Sequence, residues 1–534
     1  MAIVSISRIQ VRRGRENQDG VPQLASGEIA WAVDTQKLYI GNGAVSEGAP
    51  AVGNTEILST KTNLFQLADQ YIYNNGGESA AITGDPAISR TLQQRLDENV
   101  SVLSFGVSGD NSEQTALLQY AIDQLFANTD KATPSSRVTL KIPAGQYRLN
   151  ASLKLPPHTN IVGDGIAKTI IIQTGNEPVF ETVNDTRTTS NAGDQASTTN
   201  ANQARDIRLE GMTLETSGDN IGLLLRDCRN SKFNNLHIKS DWTSGTASTS
   251  NSIGIKCLTL STNQDIAQNN NNIFDGVKIE GFGYALISDY SALMLDNVFT
   301  NGVIEMCDYG IQLGFDANNE GNIAQGPTGN KFNNTKFIDV DQNGLVVFNG
   351  THNSSTNNRF FDVGNDGGDE GSPQHSIINF KSAGNKSDGD FFARTYPQAV
   401  DSANGQTVYV PEITGTHSGT LAENLQITLI DSQTPVQWLK LPADVSKHIE
   451  IDYVYKGDLA NERTGTLTIN VDKENDTVTL DDEFRYTGTF GANQPDPVFT
   501  AQLGLTGNNT LILSFAKPNI NESGTINISI RSTH

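Results

Sequence analysis

Asp296-Asn-Val-Phe299 is one of five versions of a short phrase in which Asn or Asp is followed within three residues by Phe. The others are Asn230-Ser-Lys-Phe233, Asn271-Asn-Ile-Phe274, Gly329-Asn-Lys-Phe332 and Thr356-Asn357-Asn-Arg-Phe360. Their phenylalanines lie 41, 25, 33 and 28 residues apart, too irregular for a helical array but natural for coils joined by loops of free length. Between them falls a second phrase, glycine and a strand-like run: Gly222-Leu-Leu-Leu, Gly254-Ile-Lys-Cys, Gly310-Ile-Gln-Leu and Gly344-Leu-Val-Val. Two strand phrases per period with Asn-rich turns predict a stacked β-solenoid. One coil cannot bury its inner face alone, so neighbours must stack. Phe233, Phe274, Phe299, Phe332 and Phe360 are expected to form one internal column.

Around this repeat, 534 residues are too many for a single ordinary core. Hydrophobic content of 36% and charged content of 18%, with much Asn, Ser, Thr and Gly, describe an all-β chain rich in polar turns. A net charge of −23 argues against nucleic acid and anionic membranes as partners. The start, Met1-Ala-Ile-Val-Ser-Ile-Ser-Arg8, lacks the apolar run of a signal peptide, and no stretch is long enough to span a membrane. A soluble protein made in a cytoplasm is expected. Cys228, Cys257 and Cys307 follow no metal spacing and read as small buried hydrophobes. No cofactor is called for.

Residues 1–58 read as short strands, with Asp34-Thr-Gln-Lys37 turning one hairpin. Residues 59–100 read as a neck, with a short helix over Ser89–Glu98 whose Leu92 and Leu96 form one apolar stripe. From 101, Thr115-Ala-Leu-Leu-Gln-Tyr-Ala-Ile-Asp-Gln-Leu125 predicts a helix that caps the open end of a coil running to 404. Thr182–Arg205, Thr243–Ser252 and Thr262–Asn272 read as loops leaving it. From 405 to 534, Ile449–Tyr455, Thr466–Val471, Thr510–Phe515 and Thr525–Ile530 alternate apolar with polar, the pattern of antiparallel strands in a β-sandwich.

Three stretches resemble known families. Ile9-Gln-Val-Arg-Arg-Gly14, Gly27-Glu-Ile-Ala-Trp31, Asp34-Thr35 and Leu38-Tyr-Ile-Gly-Asn-Gly43 resemble the small N-terminal module of bacteriophage tail-fibre and tropism-determinant proteins. Phe105-Gly-Val-Ser-Gly-Asp110, Ile142-Pro-Ala-Gly-Gln-Tyr147 and Ile161-Val-Gly-Asp-Gly165 resemble the opening of the pectate-lyase-like, right-handed parallel β-helix. Thr464-Gly-Thr-Leu467 and Val478-Thr-Leu-Asp-Asp482 are similar, more loosely, to distal domains of phage tail proteins. The resemblance implies an all-β chain with a right-handed parallel β-helix, a small N-terminal β module and a C-terminal antiparallel β-sandwich. It further implies a homotrimeric tailspike or tail fibre in the virion tail, assembled in the host cytoplasm. Its N terminus would dock on a phage tail or baseplate protein through Arg12, Arg13, Trp31 and Tyr39, and its distal part would meet a host-surface polysaccharide or receptor.

Such a spike could also cleave polysaccharide as a glycoside hydrolase, or serve only as a structural spacer. Hydrolysis needs two carboxylates about 5–10 Å apart on one groove, and equivalent outward acids on adjacent rungs meet that distance cheaply. Asp275, Glu280, Asp296, Glu305, Asp308, Asp339, Asp341 and Asp362 are available, and Glu305 with Asp308 is the pair set among apolar and aromatic neighbours. The lyase-type basic residues and calcium-binding acids of the family find no matching positions. Asp339, Asp341 and Asn343 imitate half a calcium loop, but its twelfth position is Gly350. Asn365-Asp-Gly-Gly-Asp-Glu-Gly371 is a second acidic turn that could hold a cation. Asp241 and Trp242 open a Thr/Ser-rich loop and are the glycan-binding candidates, with Tyr290 and Tyr309 behind them. No constellation argues for chemistry, so receptor binding ranks above cleavage.

Overall fold

The computed structural model describes residues 11–57 except 22, 44–45 and 47–52, then 72–74, 89–91, 96–128, 138–243, 252–259, 268–289, 292–315, 326–347 and 350–364. Between 378 and 533 it describes the strands and a few flanking residues. The chain divides into two compact units, Met1–Asn99 and Val100–His534. In the first, Arg12–Gly14, Ile29–Ala32, Lys37–Gly41 and Asn54–Ile57 form a four-stranded sheet in that order. The central pair is the expected antiparallel hairpin. Leu24, Ala30, Ala32 and Tyr39 make its core. The expected helix over Ser89–Glu98 is not what forms at its start: Ser89–Thr91 is a strand, paired antiparallel with Ile72–Asn74. Leu92 lies outside the described residues, and Leu96 is exposed. A single pair of apolar residues in a polar segment leaves such a helix without a face to bury.

The second unit is a parallel β-helix that runs into an antiparallel sandwich. Each full coil contributes three strands, as in Lys331–Asn333, Lys336–Val340 and Leu345–Val347. The third strands of successive coils form a nine-stranded parallel sheet, beginning at Leu153–Leu155 and reaching Ile413–Gly415. Parallel pairing therefore continues past residue 404. Among the described residues no helix is long and apolar enough to cross a membrane.

Phenylalanines stack inside the first strands as expected, but four rather than five share the column. Phe233, Phe274, Phe299 and Phe332 are in register, with ring centroids 5.1, 4.6 and 5.0 Å apart. Below Phe332 the column continues with Ser355. Phe360 belongs to the second strands, stacked on Phe337 at 4.6 Å below Ile304, Ile279 and Ile238. The same phrase occurs there because both corners of a coil need the same turn. Its first residue takes a left-handed conformation at Asn230, Asn271, Asp296 and Gly329, and again at Asn357, a conformation that Asn, Asp and Gly adopt most cheaply.

The residue two places before Phe274, Phe299, Phe332 and, on the next rungs, Ser355 and Ser387 carries a second constraint. Asn272, Asn297, Asn330, Asn353 and Asn385 are at most 2% exposed and form a continuous ladder. Asn297 donates its backbone N–H and its Nδ2 to Asn330 Oδ1 at 3.1 and 2.9 Å, and Asn330 does the same to Asn353 at 3.0 and 2.9 Å. The remaining amide hydrogen reaches back to a main-chain carbonyl, Asn330 to Met294 O at 2.9 Å. Every amide group in the column is thus satisfied without water, the condition under which a buried polar row is tolerated. Asn269 and Asn272, expected in a loop leaving the coil, lie in its interior.

Glycines of the second phrase form another column, Gly222, Gly254, Gly310 and Gly344, with Ala285 in the middle rung. A β-carbon at Gly222 or Gly254 would press into Ile238 or Ile279, and at Gly344 into the Phe360 ring. At these rungs the second and third sheets approach too closely for a side chain, while the Ala285 rung admits a methyl group. The upper end is capped by Thr115–Ile122, which buries Leu118, Ala121 and Ile122 and continues in a π turn over Asp123–Ala127. Gln119 pairs with the free strand edge, accepting from Lys154 N–H at 2.7 Å and donating to Lys154 O at 3.1 Å. Such an edge would otherwise invite pairing with another chain. From the Thr182–Arg205 excursion, Arg187 grips Asp123 of this cap through two bonds of 2.9 and 2.7 Å.

In the sandwich, five strands in the order Gly419–Leu429, Gly524–Thr533, His448–Gly457, Glu462–Asp472 and Thr477–Thr487 face the three strands Val436–Pro442, Thr510–Ala516 and Val498–Leu503. Trp438, Ile451, Leu467, Leu513, Phe515 and Ile528 are buried between them.

Phe299→Ala should lose about 3–5 kcal/mol of unfolding free energy, as buried Phe truncations do. Asn330→Ala removes far less apolar surface but strands two donors and a carbonyl, at about 1–3 kcal/mol each. Urea midpoints should therefore show losses of similar size; an Asn330→Ala loss below about 1 kcal/mol would contradict the ladder.

Candidate functional site

In register, the outward side chains of the second strands form a charged stripe. Glu215, Lys239, Glu280 and Glu305 make one row, and His237 and Lys278 stand beside it. Lys239 Nζ meets Glu215 at 3.0 Å. His237 Nε2 and Lys278 Nζ each lie 2.8 Å from Glu280 Oε2, and Lys278 reaches Glu305 Oε1 at 2.5 Å. Lys278 therefore joins two carboxylates on neighbouring rungs. Burial works against ionised Glu280, but the bonds from Lys278 and His237 outweigh it and hold its carboxyl below the usual glutamate value. Lys278, also partly buried, is held above the usual lysine value by the two glutamates. Burial pulls His237 below the usual imidazole value despite its bond to Glu280.

Glu305 stands on this stripe, whereas Asp308 lies past the corner at Met306, in the connection to the third sheet, and is only 4% exposed. Its charge adds to the burial that raises the Tyr284 phenol. Tyr284 stacks on Tyr309 with centroids 4.7 Å apart, so Tyr309 packs along the coil. Asp275 ends a surface ladder, accepting from Asn301 Nδ2 at 2.8 Å, which in turn accepts from Asn334 at 2.8 Å. Asp296 and Asp362 occupy left-handed corners.

Asp241 is exposed and accepts from the Gly218 N–H at 2.9 Å. Trp242 is folded against the coil rather than presented: it is 8% exposed and its backbone N–H donates to Gly281 O at 3.1 Å. Its indole N–H has no hydrogen-bond partner among the described residues. Asp339 is an exposed left-handed corner, Asp341 is 7% exposed, and Asn343 passes its carbonyl to Gly310 N–H at 2.8 Å. Among the described residues no group of three acidic, His or Cys side chains could hold a metal ion. The second acidic turn, Asn365–Gly371, and Tyr290 lie outside the described residues.

Cys228, Cys257 and Cys307 are free and buried, as expected of small hydrophobes. Burial pushes the Cys228 and Cys307 thiols up to about 12. In the N-terminal unit Arg12 is exposed and 3.4 Å from Glu28, Arg13 is exposed, and Trp31 is half-buried. Tyr39 is a core residue, 7% exposed, with its phenol pushed up to about 12 by burial and by Glu16. In the described unit it is not offered to a partner.

A further groove, on the outer face of the sandwich, is lined by Asp452, Tyr453, Thr464, Gly465, Thr466, Glu483, Phe484 and Arg485. No local motif marks it, because its residues come from three strands.

These rungs define a parallel β-helix. Residues 99–336 match the family model described as Rhamnogalacturonase A/epimerase, pectate lyase-like, a segment shorter than half the chain. Among solved structures the chain is similar to ORF18 of Geobacillus virus E2, at 14% identity and a TM-score of 0.38 over 96% of this chain and 92% of that one. It is also similar to the Dettilon tailspike protein, at 10% identity and 0.34 over 86% and 99%. The N-terminal fragment of bacteriophage Phi29 gene product 12 aligns at 13% identity and 0.31 over 60% and 62%. No curated protein sequence matches. The fold assignment rests on the register of the rungs and the family match.

Both folded-state pKa values, for His237 and Glu280, lie below the ordinary 6.5 and 4.5. Each group thus contributes stability that is present above its ordinary value and lost as pH falls through the folded one. The melting-temperature gap between wild type and Glu280→Gln should narrow as pH drops from about 7 to about 3. A gap independent of pH would contradict the ionised stripe.

Proposed function

We propose that the protein is a virion appendage of the phage tail-fibre or tailspike kind that binds a host-surface glycan or receptor. Residues 1–58 would dock on a tail or baseplate protein, with the exposed Arg12 and Arg13 as contact residues, and 59–100 would form a neck. The coil and the sandwich would be turned to the host, in a homotrimer assembled in the host cytoplasm. The N-terminal sequence phrases and the pectate-lyase-like coil ending in a sandwich support this reading.

One observation favours binding over cleavage. A glycosidase needs one carboxyl protonated and another ionised. On the coil, Glu280 and Glu305 stand on neighbouring rungs, but Lys278 bonds to both and His237 to Glu280. The bonds from Lys278 and His237 outweigh burial and hold the Glu280 carboxyl below the usual glutamate value, which makes it a poor proton donor for this pair.

Whole protein incubated with host cells and with their purified surface polysaccharide should bind saturably, without lowering viscosity or creating reducing ends. New reducing ends would replace this reading with a depolymerase. Neither binding nor cleavage would replace it with a structural spacer.

A further inference from the structure

The five-stranded sheet of the sandwich turns Ile451, Tyr453, Leu467 and Ile528 inward. Alternate residues face outward, and there a groove of about 520 Å³ lies over Thr464, Gly465 and Thr466, flanked by Asp452, Glu483 and Arg485. The register explains how these residues meet: Asp452, Thr466 and Glu483 are opposite one another on three adjacent strands, as are Val454, Thr464 and Arg485. Asp452 is already oriented, accepting from the Thr466 hydroxyl at 2.7 Å and from Arg531 Nη2 at 2.6 Å.

The floor is fixed from below. Tyr453 donates its phenol to Asp482 at 2.8 Å. Arg463, only 2% exposed, pairs with the same carboxylate and lies 3.7 Å from the centre of the Phe484 ring. Gly465 leaves the space that the Tyr453 ring fills; a β-carbon there would come within 2.8 Å of it. A floor held this way loses little freedom when a ligand arrives.

The groove is lined by the carboxylates of Asp452 and Glu483 and the guanidinium of Arg485, and Arg531, outside the lining, pairs with Asp452, so the charges next to the groove offset one another although the chain carries −23. Carboxylates accept from pairs of hydroxyls, guanidinium groups donate, and threonine hydroxyls do both. The volume lies in the range of small-ligand sites. We propose that this groove is a binding site for an uncharged, hydroxyl-rich oligosaccharide of hexose type. The proposal rests on the host-glycan reading above and gives that reading a location.

The test uses the full chain on an array of neutral, uronate and amino-sugar oligosaccharides, with calorimetry on the bound probes. Signal is expected on neutral hexose oligosaccharides. Glu483→Gln and Arg485→Gln, both at exposed edge-strand positions, should each weaken it roughly tenfold or more, the size of one lost charge-assisted hydrogen bond. Their melting should stay unchanged, and Lys168→Gln near the capped end of the coil should bind like wild type. Binding that survives both groove variants, or a preference for charged sugars, overturns the groove while leaving the host-glycan reading standing. No binding to any oligosaccharide also overturns the groove, and if the protein fails to bind host cells as well, the parent reading falls with it.

Discussion

The buried asparagine ladder is the constraint on which the rest of the coil depends. Aromatic and aliphatic columns gain from stacking in almost any register that keeps them inside, so they do not by themselves forbid a slip. An amide column does. Each Asn from Asn272 to Asn353 donates two hydrogen bonds to the amide oxygen of the next. Displacing one rung by a residue would bury those donors unpaired, at about 1–3 kcal/mol apiece. A second, shorter column repeats the device at the next corner, where Thr335 N–H donates to Asn358 Oδ1 and Asn358 N–H to the buried Asp390, each at 2.8 Å. With the register fixed inside, the outward rows are fixed too, and Lys278 can stand between two glutamates.

Much of this was legible because the repeat writes its turns in the sequence. The phenylalanine and glycine phrases, the cap helix and the alternating strands after 405 all correspond to observed elements. Phe360 was misplaced because one phrase serves two corners: a left-handed residue, an asparagine and an inward aromatic suit both, and spacing alone does not separate them. Asn269 and Asn272 were hidden for a related reason. Asparagine is ordinarily a turn residue, and only a partner one rung away makes it an interior one. The signal was present in the fixed offset of Asn272, Asn297 and Asn330 from the stacked rings.

The candidate sites were less legible because they depend on contacts across strands. Glu305 and Asp308 are close in sequence, yet a left-handed Met306 leaves Glu305 on the outer stripe and puts Asp308 in the buried connection to the third sheet. Trp242 opens a polar loop but is buried against Gly281. The sandwich groove assembles Asp452, Thr466, Glu483 and Arg531 through antiparallel register that no single stretch of sequence encodes. In both places the arrangement is set by register: the coil fixes Lys278 between two glutamates, and the sandwich brings Asp452 to Thr466 and Arg531.

Native-state hydrogen exchange tests the ladder most directly. The backbone amides of Ser231, Asn272, Asn297, Asn330 and Asn353, each donating to an asparagine side chain, should exchange together and only through cooperative unfolding of the coil. Fast, independent exchange at these amides, with neighbouring strands still protected, would contradict the claim that the asparagine column sets the register.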